Sequence, residues 1–426
     1  MSEQSLRAAL QRYDTSNAIG FWRSLGYNTL HQPLPAPEFD ELTQNARELL
    51  QEAYLLYNDD ALRIYHLHLR DSKRGKLRRM LEALHRRYSQ YEYLFTACVE
   101  GSPNLLFIHP CPVLKDNDRL TLAIRTLEVQ PDSPTRTDLE TLLALKTTHA
   151  IDPYARIDAI RDAFSVEKVT EQFYQDFRRL FETAEAWITG VPPGEPKRLF
   201  TLKLFNRLLF VRFLERKGWL RFDKQRNYLR ALWEDYQANR TESDTFYNAR
   251  LKPLFFSALN NPQQRNLMAL NQGGLLRDLI GDAPYLNGGL FEMGADDQQA
   301  YVPDEALQPV IESLLYRYNF TITESTPLEI EVAVDPEMLG KVFEELVTGR
   351  HETGSYYTPR PVVAFMCREA LKGYLQSAVG EDADTLTQFV DQRDASMLKD
   401  PEKVLDALRR VRVCDPACGS GAYLLG

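Results

Sequence analysis

The stretch that decides the fold is Val411-Arg-Val-Cys-Asp-Pro-Ala-Cys-Gly-Ser-Gly-Ala-Tyr-Leu-Leu-Gly426. Its first three residues alternate valine with arginine, which predicts a short buried strand that Asp415-Pro416 ends. Gly419 and Gly421 permit backbone conformations that a side chain would forbid, so a ligand can approach the main chain closely. A helix predicted to begin near Ala422 would direct its first amide groups at that ligand and favour an anionic group.

The octapeptide Asp-Pro-Ala-Cys-Gly-Ser-Gly-Ala at 415–422 differs from the common nucleotide-binding glycine motifs. It lacks the three-glycine spacing of dinucleotide-binding turns, and no Gly-Lys-Ser/Thr follows it as in a P-loop. It resembles the S-adenosylmethionine-binding motif, motif I, of amino-methylating DNA methyltransferases, in the form typical of adenine-specific enzymes. The resemblance implies that the cofactor is bound by Asp415, Pro416, Ala417, Gly419 and Gly421.

A second stretch, Gly354-Ser-Tyr-Tyr-Thr-Pro359, lies about sixty residues upstream of the glycine turn. It precedes an amphipathic helix predicted over 362–375, which Thr358 would cap with Pro359 in its first turn. The stretch resembles the Gly-x-Tyr-Tyr-Thr-Pro element, here called motif X-like, that the same enzymes place ahead of the cofactor turn. The resemblance implies that Tyr356, Tyr357 and Thr358 contact the methionine part of the cofactor.

Together, the two motifs resemble large adenine-specific DNA methyltransferases of type IIG-like restriction-modification and phage-defence systems. The resemblance covers about residues 160–426. It implies methyl transfer from S-adenosylmethionine to adenine N6 in double-stranded DNA, after the base leaves the stack. Cytosine-N4 methylation stays open as a variant, and the sequence does not give the DNA recognition site.

One motif of that family is missing from this sequence. These enzymes carry an Asn/Asp-Pro-Pro-Tyr/Phe tetrapeptide downstream of the glycine turn, which grips the extruded base, and no such tetrapeptide occurs here. We therefore expect a truncated amino-terminal portion that has no catalytic residue for methyl transfer. A carboxyl-terminal half or a second polypeptide would complete the methyltransferase.

The predicted fold class is mixed, with three domains. Residues 1–130 form an N-terminal α+β domain, residues 131–330 a central all-α domain, and residues 331–426 the start of an α/β Rossmann-like methyltransferase domain. Strands are predicted over 63–69, 93–99, 105–109 and 119–125, and helices over 39–57, 169–188 and 197–217. Of the methyltransferase domain, only the first strand and the glycine turn are expected.

A nuclease in the first domain is one alternative to methylation. Metal-dependent nucleases fused to such methylases use an Asp followed by Asp/Glu-x-Lys; Asp71-Ser-Lys73 fits the second element, and Asp59 or Asp60 the first. Patterns this short recur by chance. The histidines of the predicted strands show no accompanying carboxylate cluster and are expected to be strand residues rather than metal ligands, namely His66, His68 and His109.

A non-catalytic product that binds DNA or a partner methylase is the other alternative. The formal net charge of -9 argues against a generally basic nucleic-acid coat, but eight Lys and Arg residues lie within 70–87. Such a patch could contact phosphate. It could equally be the solvated face of a helix whose buried side carries Leu77, Met80, Leu81 and Leu84.

The cysteines and the apolar runs indicate which metal-binding, secreted and membrane classes the sequence does not fit. The five cysteines, at positions 98, 111, 367, 414 and 418, form no Cys-x-x-Cys pair and have no histidine spacing suited to zinc, so no metal site is predicted. The sequence shows no signal-peptide pattern and no apolar run long enough to span a membrane. We expect a cytoplasmic protein without a membrane partner.

Overall fold

The structure is a computed structural model of the 426-residue chain. It describes residues 2–114, 120–147, 152–223, 225, 227–260, 275–286, 289–321, 329–334, 360–392 and 394–415. The chain divides into two units, Met1–Leu339 and Gly340–Gly426, each with a buried apolar core.

A mixed sheet of seven strands organises the first unit. The strands are β1 (Leu34–Pro35), β2 (Leu50–Asn58), β3 (Leu62–Leu69), β4 (Glu92–Val99), β5 (Leu105–Leu114), β6 (Leu120–Val129) and β7 (Glu329–Glu331). They lie side by side in chain order, and neighbours are antiparallel except for the parallel pairs β3–β4 and β6–β7. A parallel pair needs a crossover, and the helix α3 (Arg74–Arg87) lies between β3 and β4 in the chain.

Two further helices of this unit precede β1 in the chain, and the others lie between β6 and β7. They are α1 (Glu3–Gln11), α2 (Ala18–Ser24), α4 (Arg136–Ala144), α5 (Pro153–Ala163), α6 (Val166–Trp187), α7 (Glu195–Arg216), α8 (Tyr228–Asn239), α9 (Leu275–Ile280), α10 (Ala295–Gln299) and α11 (Asp304–Val310). Single-turn π-helices occupy Tyr247–Leu251, Leu254–Leu259 and Ile311–Leu315, and 3₁₀ turns occupy Pro37–Phe39 and Gly289–Phe291.

Within the part of the chain that the structure describes, no helix combines the length and the apolar character that a membrane crossing requires.

Alternation along the strands gives the sheet two buried faces. On β3, Tyr65 and Leu67 belong to the core beneath α3, whereas His66 between them bonds to Thr96 and Tyr13 on the other face. The α3 residues buried in that core are Leu77, Met80, Leu81 and Leu84, as predicted. The four predicted strands are also confirmed.

The helix predicted over 39–57 is wrong, because its second half is strand β2. Leucines at helical spacing favour a helix there, but Leu55 pairs with Tyr65 on one side and with Leu34 on the other. Hydrogen bonding to two strands thus overrides the local pattern.

Helix α7 lies in the centre of the helical part of this unit, as its apolar sequence predicts. An aromatic row on α6 packs against it, with Phe177 and Phe181 both in edge contact with Phe205. Hydrogen bonds tie this helical part to the sheet: Asn319 Nδ2 donates to the Glu128 carbonyl at 3.1 Å. The predicted helices over 169–188 and 197–217 correspond to α6 and α7.

The described residues of the second unit form three helices, α12 (Arg360–Val379), α13 (Ala383–Gln392) and α14 (Pro401–Arg410). Leu375, Leu386, Val404 and Ala407 make their core. The strand predicted at the start of 411–426 is wrong, since residues 411–415 have no regular structure and Val413 is 67% exposed. A strand needs a paired neighbour, and the described residues of this unit contain helices only. A Rossmann-like domain therefore stays a prediction.

Candidate cofactor and nucleic-acid sites

Most of the predicted cofactor residues lie outside the described residues, namely Tyr356, Tyr357, Thr358, Pro416, Ala417, Gly419 and Gly421. Asp415 is described and is half-buried. The structure thus describes the helices from which both motifs extend.

Helices α12 and α14 are antiparallel. Lys403 Nζ donates to the Val379 carbonyl at 3.0 Å, and Tyr374 Oη donates to the Ala407 carbonyl at 3.0 Å. The later residue of α14 thus contacts the earlier residue of α12. The end of α14 and the start of α12 consequently point toward the same end of the unit. In the chain, the motif X-like stretch precedes α12 and the glycine turn follows α14; apart from Asp415, both motifs lie outside the described residues.

Ion pairs hold α13 against the middle of α12. Lys372 Nζ lies 3.2 Å from an Asp391 oxygen, and Arg368 Nε lies 3.9 Å from the other oxygen. At the opposite end, the buried Glu381 carboxylate accepts from the Lys399 backbone amide at 2.9 Å. The ion pairs thus join α12 to α13, and the Glu381 hydrogen bond joins the loop before α13 to the loop after it.

The structure does not bring the two elements of the predicted nuclease motif together. Asp59 and Asp60 both precede β3 and Asp71 follows it, so a strand of about 23 Å, at 3.3 Å per residue, separates either of them from Asp71. Two ligands of one metal ion lie within about 5 Å of each other, because each is bound at 2.0–2.6 Å. Asp59 also serves the fold: Tyr57 Oη and Arg156 Nη2 both donate to it at 2.5 Å. Partial burial acts to raise the pKa of Asp59, but hydrogen bonds, among them that of Tyr57, lower it below its usual value.

Asp71 and Lys73, the second element of the predicted nuclease motif, interact with each other. Asp71 accepts from the Lys73 backbone amide at 2.9 Å, and the two side chains form an ion pair at 3.8 Å. Lys73 lines a cavity of about 380 Å³ whose wall also carries Glu128 and Glu329. Among the described residues, no group of three or more His, Cys, Asp or Glu side chains is arranged to hold a metal ion. The arrangement gives the nuclease hypothesis no metal site there.

The histidines are strand residues, as predicted, but one of them has the carboxylate partner that the sequence did not reveal. His109 Nε2 lies 2.9 Å from Glu92 Oε1, and its Nδ1 lies 3.3 Å from Cys111 Sγ. Although burial opposes the shift, these hydrogen bonds raise the pKa of His109. Burial and the neighbouring His68 lower the pKa of His66 to about 3. Glu92 lies on another strand, so sequence spacing could not show this pair.

Most cations of the basic helix α3 already face carboxylates. Arg74 pairs with the buried Glu331, and Arg78 lies 3.6 Å from Glu329. Four further pairs of α3 cations with carboxylates are Lys76–Glu48 at 2.8 Å, Arg78–Glu82 at 3.2 Å, Arg86–Glu82 at 2.8 Å and Arg87–Glu41 at 3.0 Å. The run is therefore much less electropositive at the surface than its sequence indicates.

Sequence reasoning missed a set of buried arginines on α7. Arg207 is fully buried; its Nη1 lies 2.5 Å from Asp297, and its Nε and Nη2 donate to the Leu290 and Glu292 carbonyls at 2.8 and 3.0 Å. Arg207 therefore fixes the 3₁₀ turn Gly289–Phe291. The sequence signal for it was a charged residue on a helix that is apolar nearly all round, which only a buried partner makes tolerable.

One comparison with known proteins relates the chain to restriction-modification. A protein of Methanocaldococcus jannaschii, provisionally named a type II restriction enzyme and methyltransferase, is 30% identical over 249 aligned residues. The alignment covers 54% of this chain and 20% of that protein, so the chain spans about a fifth of its relative's length. No protein-family model and no solved structure matches the chain. The chain is thus related to a restriction-modification protein.

Proposed function

We propose that this chain is part of an adenine-specific DNA methyltransferase of a restriction-modification or phage-defence system. The observation that carries the proposal is the octapeptide at 415–422, read with the motif X-like stretch at 354–359. Two further findings support it. The relative is named a restriction enzyme and methyltransferase, and α12 and α14, the helices next to the two stretches in the chain, are antiparallel.

The residues of the two motifs fit a cofactor that carries both charge and an apolar part. S-adenosylmethionine, when bound, supplies the methyl group on its sulfonium. The Asp415 carboxylate would accept from donors of the cofactor, and Gly419 and Gly421 would let the backbone approach it. Tyr356 and Tyr357 would cover the methionine part. These residues would bind and orient the cofactor, and none of them would activate the adenine amine.

We further propose that another polypeptide segment completes the catalytic domain. On the first turns of α12, Phe365 is 60% exposed and Val362 is 45% exposed, and the exposed Val413 follows α14. Large apolar side chains exposed together mark a surface that another element covers. A methyltransferase sheet laid on this surface would bury them.

The test is calorimetric titration of S-adenosylmethionine into this chain, alone and mixed with a polypeptide encoded by the downstream portion of the gene. We expect binding in the mixture, together with methyl transfer to adenine in double-stranded DNA. The Asp415→Asn variant should lose most of that binding, whereas Asp406→Asn, an exposed carboxylate on α14, should keep it. Absence of binding in the mixture, or equal binding by both variants, would overturn the proposal.

A further inference from the structure

Four ionisable side chains meet in the first unit, contributed by β4, β5 and α5. Glu92 begins β4, His109 and Cys111 lie two residues apart on β5, and Arg161 lies near the end of α5. Alternate residues of a strand point to the same face of the sheet, so His109 and Cys111 are neighbours. The Cys111 sulfur lies 3.3 Å from His109 Nδ1, and His109 Nε2 lies 2.9 Å from Glu92 Oε1. A thiol, an imidazole and a carboxylate thus form one hydrogen-bonded series, apart from the proposed methyltransferase motifs.

The positions of the protons in this series follow from the hydrogen-bond partners. Burial acts to raise the pKa of Glu92, but hydrogen bonds to His109 and Arg161 lower it below its usual value, so the carboxylate stays ionised. An ionised carboxylate only accepts hydrogen bonds, so His109 Nε2 carries a proton and donates to Glu92. Nδ1 of the neutral imidazole is then the acceptor for the Cys111 thiol. His109 is therefore oriented as a base for Cys111.

Transfer of the thiol proton to Nδ1 produces a thiolate and an imidazolium. Both nitrogens of that imidazolium have an anionic partner, Glu92 at Nε2 and the Cys111 sulfur at Nδ1. Burial acts to lower the pKa of His109, but the hydrogen bonds to Cys111 and Glu92 raise it above its usual value. The series thus stabilises the charged pair in a buried place, where an unpaired imidazolium would be costly.

The other charged groups around the sulfur favour the thiolate. The hydrogen bond to Glu92 and, to a smaller extent, the charge of Cys111 raise the pKa of Arg161, so Arg161 lies within electrostatic reach of the sulfur. On β6, Arg125 lies opposite the histidine in the strand register. The nearby carboxylate of Asp158 lies 4.0 Å from Arg161 Nη1 and is exposed. Cations beside a cysteine stabilise its thiolate, which is the nucleophilic form.

Exposure distinguishes the sulfur from its base. His109 is fully buried, whereas Cys111 is partly exposed. Two other cysteines provide comparisons within the chain. Cys98 on β4 is also partly exposed, but burial raises the pKa of its thiol, and Cys414 is exposed. A partly exposed thiol with a base and nearby cations has the features of a cysteine that small electrophiles modify.

We propose that Cys111 is a redox-sensitive modification site, at which hydrogen peroxide oxidises the thiol to a sulfenic acid. His109 Nδ1 accepts the thiol proton, and the sulfur attacks one peroxide oxygen. The S–O bond forms as the O–O bond breaks, and the departing hydroxide takes the proton from Nδ1 and leaves as water. The sulfur loses two electrons, and the peroxide gains them. Thiols reverse this oxidation, and the inference does not depend on methyl transfer.

The experiment treats the full chain with hydrogen peroxide at pH 7, traps sulfenic acid with dimedone, and locates the label by peptide mass spectrometry. We expect Cys111 to be labelled about tenfold faster than Cys98 and Cys414, because a thiolate reacts and a thiol does not. This comparison within one chain needs no variant, so it decides the case even where a variant does not fold. Labelling of Cys111 no faster than that of Cys414 overturns the proposal.

His109→Gln tests the base. It should slow the labelling of Cys111 by about tenfold and leave that of Cys414 unchanged, with circular dichroism confirming the fold. His31→Gln, at an exposed histidine before β1, should change neither rate. Equal labelling of Cys111 in wild type and folded His109→Gln overturns the role of the base. Rapid alkylation of Cys111 by iodoacetamide without any sulfenic acid overturns the reaction with peroxide.

Discussion

Helices α3 and α7 are both rich in arginine, and the fold uses that arginine in opposite ways. On α3, Arg86 and Arg87 lie at the surface and face exposed or partly exposed carboxylates. On α7, Arg207 and Arg212 are buried and bond to Asp297 and to Glu215. A dense run of charge therefore marks the exposed helix, and isolated charges in an apolar run mark the buried one.

The difference has an energetic consequence. A surface ion pair contributes about 0–1 kcal/mol, because water already solvates both groups. Removing one partner of a buried pair costs about 3–5 kcal/mol, because the other charge stays buried without compensation. The helix that looks less charged in sequence is thus the one whose charges should matter more to stability.

The largest effect is expected at Arg207. Arg207→Met leaves the Asp297 carboxylate buried beside Tyr247 Oη at 3.0 Å, without the arginine that pairs with it. We expect the free energy of unfolding to fall by about 3–5 kcal/mol, measured by urea denaturation. The matched control is Arg86→Met on α3, which should change it by no more than about 0.5 kcal/mol. Similar losses for the two variants would contradict the contrast between the helices.

The sequence predicted the sheet unit well because its elements carry local signals. Strands such as β3 and β4 show period-two alternation, and α3 shows its buried stripe directly. The failures occurred where distant contacts decide: β2 becomes a strand by pairing with β3, and residues 411–413 do not form a strand where the described residues of their unit are helices.

Candidate sites divide in the same way. The octapeptide at 415–422 is a local pattern, so sequence alone could identify it. The buried ion pair between Arg207 of α7 and Asp297 of α10 depends on two elements far apart in the chain. No spacing rule connects such residues. The predicted pairing of Asp59 with Asp71 failed although the two residues are close in sequence, because β3 lies between them and holds them at its opposite ends.

Asp138 extends the comparison to pH, because it lies near Arg216, the last arginine of α7. Burial raises the pKa of Asp138 to about 6, despite the attraction of Arg216, and Glu331 adds to the rise. Between pH of about 4 and 6, the unfolded chain loses this proton before the folded protein does, so this contribution to stability falls as pH rises, by about 3 kcal/mol in all.

Asp138→Asn removes that ionisation. Measured by urea denaturation, the variant should match the wild type near pH 4 and exceed its stability by up to about 3 kcal/mol near pH 8. Asp158→Asn, an exposed carboxylate on α5, should show no such divergence. Parallel pH profiles for wild type and Asp138→Asn would show that Asp138 ionises equally in both states.

Two arginines of the same helix, α3, test whether burial of the carboxylate partner, rather than the helix on which the arginine lies, sets the cost of losing an ion pair. Arg74 is the α3 cation whose partner, Glu331, is buried, whereas Arg87 faces a half-exposed Glu41. We expect Arg74→Met to lower the free energy of unfolding by about 2 kcal/mol and Arg87→Met by less than about 1 kcal/mol. Equal values in urea denaturation would mean that position on α3, rather than burial of the carboxylate, sets the cost.

The smallest effect concerns DNA binding by α3. Arg79 and Arg86 are exposed, but neighbouring carboxylates neutralise much of the helix, so it can make few phosphate contacts. For Arg79→Ala with Arg86→Ala, we expect the slope of log affinity for double-stranded DNA against log salt to fall by at most about 2, since each neutralised phosphate contributes about 0.9 to that slope. Fluorescence anisotropy at several salt concentrations measures it. Arg178→Ala with Arg179→Ala, exposed arginines on α6, should leave the slope unchanged. A much larger fall would show that the carboxylates around α3 do not offset its charge toward DNA.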